Sequence, residues 1–228
     1  MKLSVIIPVY NEVSTISELI KRVNLSEISI DKEIIIVDGN STDGTIAVLK
    51  ELEKTINLKI IYEENTKGKG LAVRKGFDAA TGELIIIQDA DLELNPNEYA
   101  NLIKPIIDGK TSVVFGSRFM HPESEFMFKT YFANKITVLC MQLLFRNSVN
   151  DALTCYKVFD KRLLNRFNFR SDGFDLDVEI TVKLLKEKIK IYESPVKYLP
   201  RSYKEGKKIH WKHGFKMLFA VFKYWLIQ

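Results

Sequence analysis

The sequence predicts an α/β fold: a mostly parallel β-sheet covered by helices on both faces. Three observations carry that expectation. Five short runs are apolar nearly throughout, namely KLSVIIPV (2–9), EIIIVDG (33–39), LKIIYEE (58–64), ELIIIQDA (83–90) and TSVVFGS (111–117). Strands that show no polar alternation are buried on both faces, as in parallel sheets. Segments of helical length and amphipathic spacing lie between these runs. Polar residues then cluster directly after them, where open α/β sheets bind ligands.

Taken in order, the helical faces are Ile16, Leu19, Ile20 and Val23, then Ile46, Leu49 and Leu52, then Ala72, Val73, Gly76, Phe77 and Ala80. The first strand runs into PVYNE, which sets Pro8, Tyr10 and Glu12 at the sheet edge. The second ends at Asp38 in DGNSTDGT, where Ser41 or Thr42 can cap a helix whose first turn holds Asp43. The fourth delivers Asp89, Asp91 and Glu93, and the fifth GSRF with Arg118. No G-x-G-x-x-G follows the first strand and no G-x-x-x-x-G-K-[ST] occurs, so any phosphate must be held by other means.

The 228 residues suffice for one sizeable core, and 46% hydrophobic with 28% charged residues is the balance of a globular protein. Cys140 and Cys155 both lie in apolar context, which predicts reduced thiols and a cytoplasmic chain. The first strand starts too early to leave room for a signal peptide. No apolar stretch reaches the ~18 residues of a membrane span, and ITVLCMQLLF (136–145) stops well short. The net charge of +5 is unevenly placed: residues 183–228 hold 12 Lys/Arg against 3 Asp/Glu. A basic end predicts an anionic partner.

Carboxylates crowded at a buried strand end repel one another and lose hydration. A hard divalent cation, Mg²⁺ or Mn²⁺, relieves both effects and leaves room for substrate phosphates. Asp91 and Glu93 can share such an ion if the chain bends between them. The plainer alternative is that Asp89 and Asp91 are loop acids before the helix that Pro96 introduces. Lys67 and Lys69, around Gly68, either reach a nucleotide or are solvated loop lysines, the plainer of the two readings. The acidic set Asp172, Asp175, Asp177 and Glu179 either opens a helix or faces the site. His121, His210 and His213 are not spaced for zinc with either cysteine.

Five ordered motifs then converge. VIIPVYNE, IIIVDGNSTDGT, KGKG (67–70), DADLE and GSRF, with KKIHWKHGFKMLFAVFKYW at the C-terminus, resemble the family 2 glycosyltransferases of the Rossmann-like GT-A fold. The last two narrow the resemblance to the dolichol-phosphate mannose synthase branch, which includes bacterial polyprenyl-phosphate glycosyltransferases. The resemblance covers essentially the whole chain. It implies an inverting, metal-dependent transfer of a mannose- or glucose-type hexose from a GDP- or UDP-sugar to a polyprenyl (dolichyl or undecaprenyl) phosphate.

By the same resemblance, Pro8, Tyr10 and Glu12 would hold the nucleoside, Asp38 the base or ribose, and Asp89 with Ala90 the ribose side of the donor. Asp91 and Glu93 would bind the metal, and Arg118 would meet a donor or acceptor phosphate. Arg201 and Lys207, in PRSYKEGKK, would close over the phosphates. Asp151 falls at an acceptor-side motif, NDALTCYKVF, and is the candidate base if one is needed; it reads equally as a loop acid. Gly39 and Asn40 stand where the family commonly has a second Asp and a Gly, which leaves the choice of GDP or UDP open.

The implied organisation is a GT-A domain over 1–200, with a nucleotide-sugar half (1–118) and an acceptor half (119–200). Residues 201–228 would form a basic loop and an amphipathic helix. There Trp211, Phe215, Leu218, Phe219, Phe222, Trp225 and Leu226 make one stripe, with Lys212, Lys216 and Lys223 off it. Such a helix either lies on an anionic membrane surface, which the apolar 126–145 stretch favours, or packs on the domain. A peripheral protein at the cytoplasmic face is therefore expected. Two further readings stay open: transfer to a soluble or polysaccharide hydroxyl with an Asp base, and a non-catalytic lipid- or nucleic-acid-binding module. The acidic triplet opposes nucleic acid, because it repels a polyanion.

Overall fold

The computed structural model describes residues 1–146, 149–202 and 213–226. Seven strands form one sheet: β1 (Lys2–Val9), β2 (Asp31–Asp38), β3 (Leu58–Tyr62), β4 (Leu84–Ile87), β5 (Val113–Ser117), β6 (Lys157–Asp160) and β7 (Tyr192–Pro195). Their order is β3-β2-β1-β4-β6-β5-β7, parallel throughout except that β6 runs against both neighbours. Helices α1 (Ile16–Leu25), α2 (Thr45–Leu52), α3 (Lys69–Ala79) and α4 (Tyr99–Ile107) alternate with the first five strands. After them come α5 (Phe128–Phe145), α6 (Lys161–Leu164), α7 (Leu176–Lys186) and α8 (His213–Leu226).

The expected parallel α/β sheet is present, and its apolar runs form the core. Val5, Ile6, Ile7, Ile35, Ile36 and Ile86 have no exposed surface. The predicted face of α1 is buried at all four positions. The chain adds β2 and β3 on one side of β1, then crosses back to lay β4 on the other. That reversal opens a crevice beyond the carboxyl ends of β1 and β4, where the polar clusters of the sequence stand.

Two strands are unforeseen and two local expectations are corrected. β6 and β7 carry no strand signal in the sequence. Lys157 opens β6 with a charge that is wholly buried, and YESP is a polar edge strand whose proline ends it. β4 stops at Ile87 rather than 90, because Gln88 turns inward. Its Oε1 accepts from the hydroxyls of Tyr99 (2.6 Å) and Tyr156 (2.7 Å). Neither Ser41 nor Thr42 caps α2, which begins at Thr45 behind Gly44 at φ 100°. Asp43 Oδ1 instead accepts from the Thr45 amide and hydroxyl.

Helix α8 packs on α5 and α7, with Met217, Ala220, Val221 and Tyr224 buried. Gly214 brings the α8 backbone close to α5: a Cβ there would sit 2.7 Å from that of Ala133. The aromatic stripe faces the other way. Phe215, Phe219, Phe222, Trp225 and Leu226 are exposed, and so are Phe132, Leu139 and Leu143 of α5. Trp211 and Lys212 lie outside the described residues. Among those described, no helix is long and apolar enough to cross a membrane.

Candidate active site

A cleft of about 450 Å³ occupies the crevice. Its walls include Pro8, Tyr10 and Glu12 from the β1 end, Gly39 from the β2 end and Glu63 from the β3 end. Lys67, Gly68 and Lys69 from the start of α3, Asp89 to Asp91 with Glu93 after β4, Phe174 and Arg201 complete it. Of the residues singled out from the sequence, Pro8, Tyr10, Glu12, Asp89, Ala90, Asp91, Glu93 and Arg201 therefore meet in one place. Lys207 lies outside the described residues.

The chain bends between the two candidate metal ligands. Leu92 adopts φ 61°, a left-handed conformation that costs a branched side chain energy. It lets the Glu93 amide donate to Asp91 Oδ1 at 3.1 Å. The Glu93 carboxylate is held from above by the segment after β7: Tyr198 donates its hydroxyl to Oε2 at 2.8 Å and the Arg201 amide donates to Oε1 at 2.9 Å.

The electrostatics divide the three acids. Burial pushes the Asp91 carboxyl up, and the charges of Asp89 and Glu93 add to it, raising its pKa to about 7. Burial acts in the same sense on Asp89, but the Lys69 ammonium, 2.6 Å away, outweighs it and holds that carboxyl below the usual range. Asp91 thus sits in the negative field that a cation would neutralise, and its oxygens are the hard donors that Mg²⁺ and Mn²⁺ prefer. No cluster of three or more His, Cys, Asp or Glu side chains that could hold a metal is found among the described residues. An ion at Asp91 and Glu93 would therefore draw its remaining ligands from water and substrate phosphate, which fits Mg²⁺ or Mn²⁺.

Of the two readings of Lys69, the solvated loop residue is overturned: the side chain is largely buried and lines the cleft. Two glycines explain its placement. Gly68 takes φ 115°, and a Cβ on Gly70 would collide with the backbone of 171–173. With both side chains absent, that backbone settles on the start of α3. Phe174 then stands 5.9 Å from the Lys69 ammonium. The KGKG motif signals an unusual backbone; the countercharge at Asp89 is set only by packing.

Three expected site residues lie outside the cleft wall. Asp38 is fully buried, and its oxygens accept from the Ser41 amide at 3.0 Å and hydroxyl at 2.6 Å, so it shapes the loop after β2. Arg118 meets Asp151 with Nε and Nη2, each at 2.8 Å, and its own amide adds a third bond to that carboxylate. Burial opposes both charges, but each stabilises the other: the Asp151 carboxyl is held below its ordinary range and Arg118 above its own. The Arg118 guanidinium also stacks 5.1 Å from the Tyr198 ring, one residue removed from Glu93. The acidic set opens α7, as one of the two readings had it: Asp175 is the N-cap residue, and Asp177 and Glu179 lie in the first turn. Asp177 pairs with buried Lys157 at 2.6 Å, Asp172 with Arg74 and Glu179 with Lys183, and Asp175 accepts from the Tyr224 hydroxyl at 3.4 Å. Lys157 and Glu63 carried no signal in the sequence that set them apart.

The seven-stranded α/β sheet with an acidic loop at its switch point has the architecture of the GT-A glycosyltransferase fold. The model of glycosyl transferase family 2 matches residues 4–167, and the chain belongs to that family. A dolichol-phosphate mannosyltransferase of Pyrococcus furiosus is 29% identical over 211 residues, covering 91% of this chain and 59% of that protein. The glycosyltransferase AglJ of Haloferax volcanii is 26% identical over 199 residues, covering 86% and 63%. The chain thus spans about three fifths of the length of these relatives. Among solved structures, glucosyl-3-phosphoglycerate synthase of Mycobacterium tuberculosis with Mn²⁺, UDP-glucose and phosphoglyceric acid superposes with a TM-score of 0.76. That match is 17% identical and covers 100% of this chain and 80% of that one. The same enzyme with Mg²⁺ and UDP gives 0.74 at 17% identity, with coverages of 100% and 80%.

Proposed function

We propose that this chain transfers a mannose- or glucose-type hexosyl group from a nucleoside-diphosphate sugar to a polyprenyl phosphate, with inversion at the anomeric carbon. The observation that carries the reading is one cleft holding both Asp91 with Glu93 and the Arg201 guanidinium. Acids for a cation beside a guanidinium N–H for an anion are what a metal-bound diphosphate requires. Asp91 and Glu93 would hold a divalent ion, which would supply Lewis-acid neutralisation of the departing diphosphate.

The chain's own groups do the rest. Arg201 spends Nη1 and Nη2 on Glu12 and keeps Nε without an acceptor among the described residues, buried and ready for a phosphate oxygen. Asp151 is engaged by Arg118 and held in its ionised form, a poor starting point for taking a proton from a hydroxyl. That favours an acceptor already charged at neutral pH, as a phosphate monoester with its second pKa near ~6 is. The exposed aromatic faces of α5 and α8 support an acceptor whose tail stays in a bilayer, and so does the similarity to a dolichol-phosphate mannosyltransferase.

The test is a transfer screen of GDP- and UDP-hexoses with Mg²⁺ or Mn²⁺, with and without a short polyprenyl phosphate. Product on the lipid phosphate alone is expected. Efficient transfer to a free sugar hydroxyl in its place would overturn the acceptor assignment.

A further inference from the structure

Glu63 stands apart from every group used so far. It follows β3 at the far edge of the sheet and lines the cleft, yet its side chain is only 1% exposed. Neither carboxylate oxygen accepts a hydrogen bond. The Lys75 ammonium approaches Oε1 to 2.8 Å and supplies a countercharge, but it does not meet hydrogen-bond geometry, so both oxygens keep their acceptor capacity. A buried acceptor left unfilled is costly, and in a binding cleft such a group awaits a donor from the ligand.

The position of Glu63 says which part of a ligand would reach it. Three strand spacings separate β3 from β4, about 14 Å across the sheet. A donor whose diphosphate lies at Asp91 and Glu93 therefore extends past β1, where Pro8 and Tyr10 stand, toward β2 and β3. Gly39, at the β2 end, adds no side chain there, and the atoms nearest its open face are Thr66 Oγ1, the Val9 carbonyl and the Tyr10 ring. Tyr10, partly exposed, offers an aromatic face on the way. Asp38 cannot serve as the reader, because Ser41 occupies its oxygens and it does not line the cleft.

We infer that Glu63 reads the nucleobase, accepting from a ring N–H, and so selects guanine or uracil over adenine and cytosine. Guanine at N1 and uracil at N3 carry a hydrogen there. Adenine N1 and cytosine N3 carry a lone pair, which a carboxylate repels. This inference rests on the nucleotide-sugar reading and adds to it the residue that chooses the base.

Calorimetric titration of the full chain with GDP, IDP, UDP, ADP and CDP in Mg²⁺ tests it. The wild type is expected to bind GDP or UDP at least about tenfold tighter than ADP and CDP, the worth of one hydrogen bond to a charged group. In Glu63→Ala that preference should collapse by roughly tenfold or more, while ADP and CDP shift by less than about threefold. Whichever of GDP and UDP binds tighter identifies the base, and IDP, which keeps N1–H but lacks the 2-amine, reports whether a second donor is read. Should the alanine variant not fold, Glu63→Gln serves, with a loss of at least about threefold confined to the preferred base. A preference that survives substitution, or a wild type with none, overturns the role of Glu63 alone. Failure of all five nucleotides to bind overturns the donor reading itself.

Discussion

Arg201 reaches back across 189 residues of chain to grip Glu12, Nη1 on Oε2 and Nη2 on Oε1, each at 2.7 Å. Its own amide holds Glu93. One residue thereby ties the loop after β1 to the acidic loop after β4 and closes one end of the cleft. Arg201→Lys keeps the charge and loses the fork, so kcat/KM for transfer is expected to fall roughly tenfold to a hundredfold. Steady-state rates on a variant with an unchanged melting curve check this; wild-type turnover would remove Arg201 from the site.

Metal dependence follows from Asp91. Both Asp91→Asn and EDTA treatment of the wild type should lower transfer at least about a hundredfold, since each removes charge stabilisation of the leaving group. Added Mg²⁺ or Mn²⁺ should restore the chelated wild type and not the variant. A chelated enzyme that keeps its rate would end the assignment.

Asp151 and Arg118 form a buried pair, and removing one partner strands the other's charge. Asp151→Ala is expected to cost about 3–5 kcal/mol, a fall in Tm of roughly 10 °C for a chain of this size. The double variant Arg118→Met/Asp151→Leu should recover much of that loss. A catalytic base at 151 predicts the reverse pattern, a stable variant without activity, so melting and rate together separate the two roles.

Acid stability should depend on Glu33. Burial resists its ionisation, but bonds from Ser4, Thr81 and Gly82 outweigh that and bring its pKa to about 2, from an ordinary 4.5. The folded value is the lower one, so its stabilisation is complete above pH 4.5 and is lost as pH falls towards 2. Glu33→Gln is expected to cost about 2 kcal/mol at pH 7. In urea unfolding, the gap between the two proteins should narrow below pH 4.5; a gap independent of pH would show that the charge is irrelevant.

The outward aromatics of α8 predict membrane binding. Phe215→Ser with Phe219→Ser should leave Tm unchanged, because both side chains are exposed. Sedimentation with anionic liposomes should drop about tenfold or more for the pair, each buried Phe being worth about 2 kcal/mol. Wild-type binding should also weaken as salt rises, since each basic residue near the surface adds about 1 kcal/mol of attraction. Equal sedimentation by wild type and variant would assign the stripe to another partner.

The sequence by itself determined the parallel sheet, the order of its first five strands and helices, and the acids that end them. Those features are written in local periodicity and in short motifs such as DADLE, and each depends on neighbours a few residues away. It could not show β6, because Lys157 breaks an apolar run and its charge is met by Asp177, twenty residues on. Nor could it separate the carboxylates: whether Asp38, Asp89, Asp91, Asp151 or Glu63 faces the cleft or a partner depends on which distant cation or amide arrives beside it. Lys69 beside Asp89, Arg118 beside Asp151 and Arg201 beside Glu12 join segments far apart in the chain. Hydrogen bonds act only over about 3 Å and a charge pair strengthens once water is excluded, so a side chain's role is decided by what packing sets next to it, and packing exists only in the folded state.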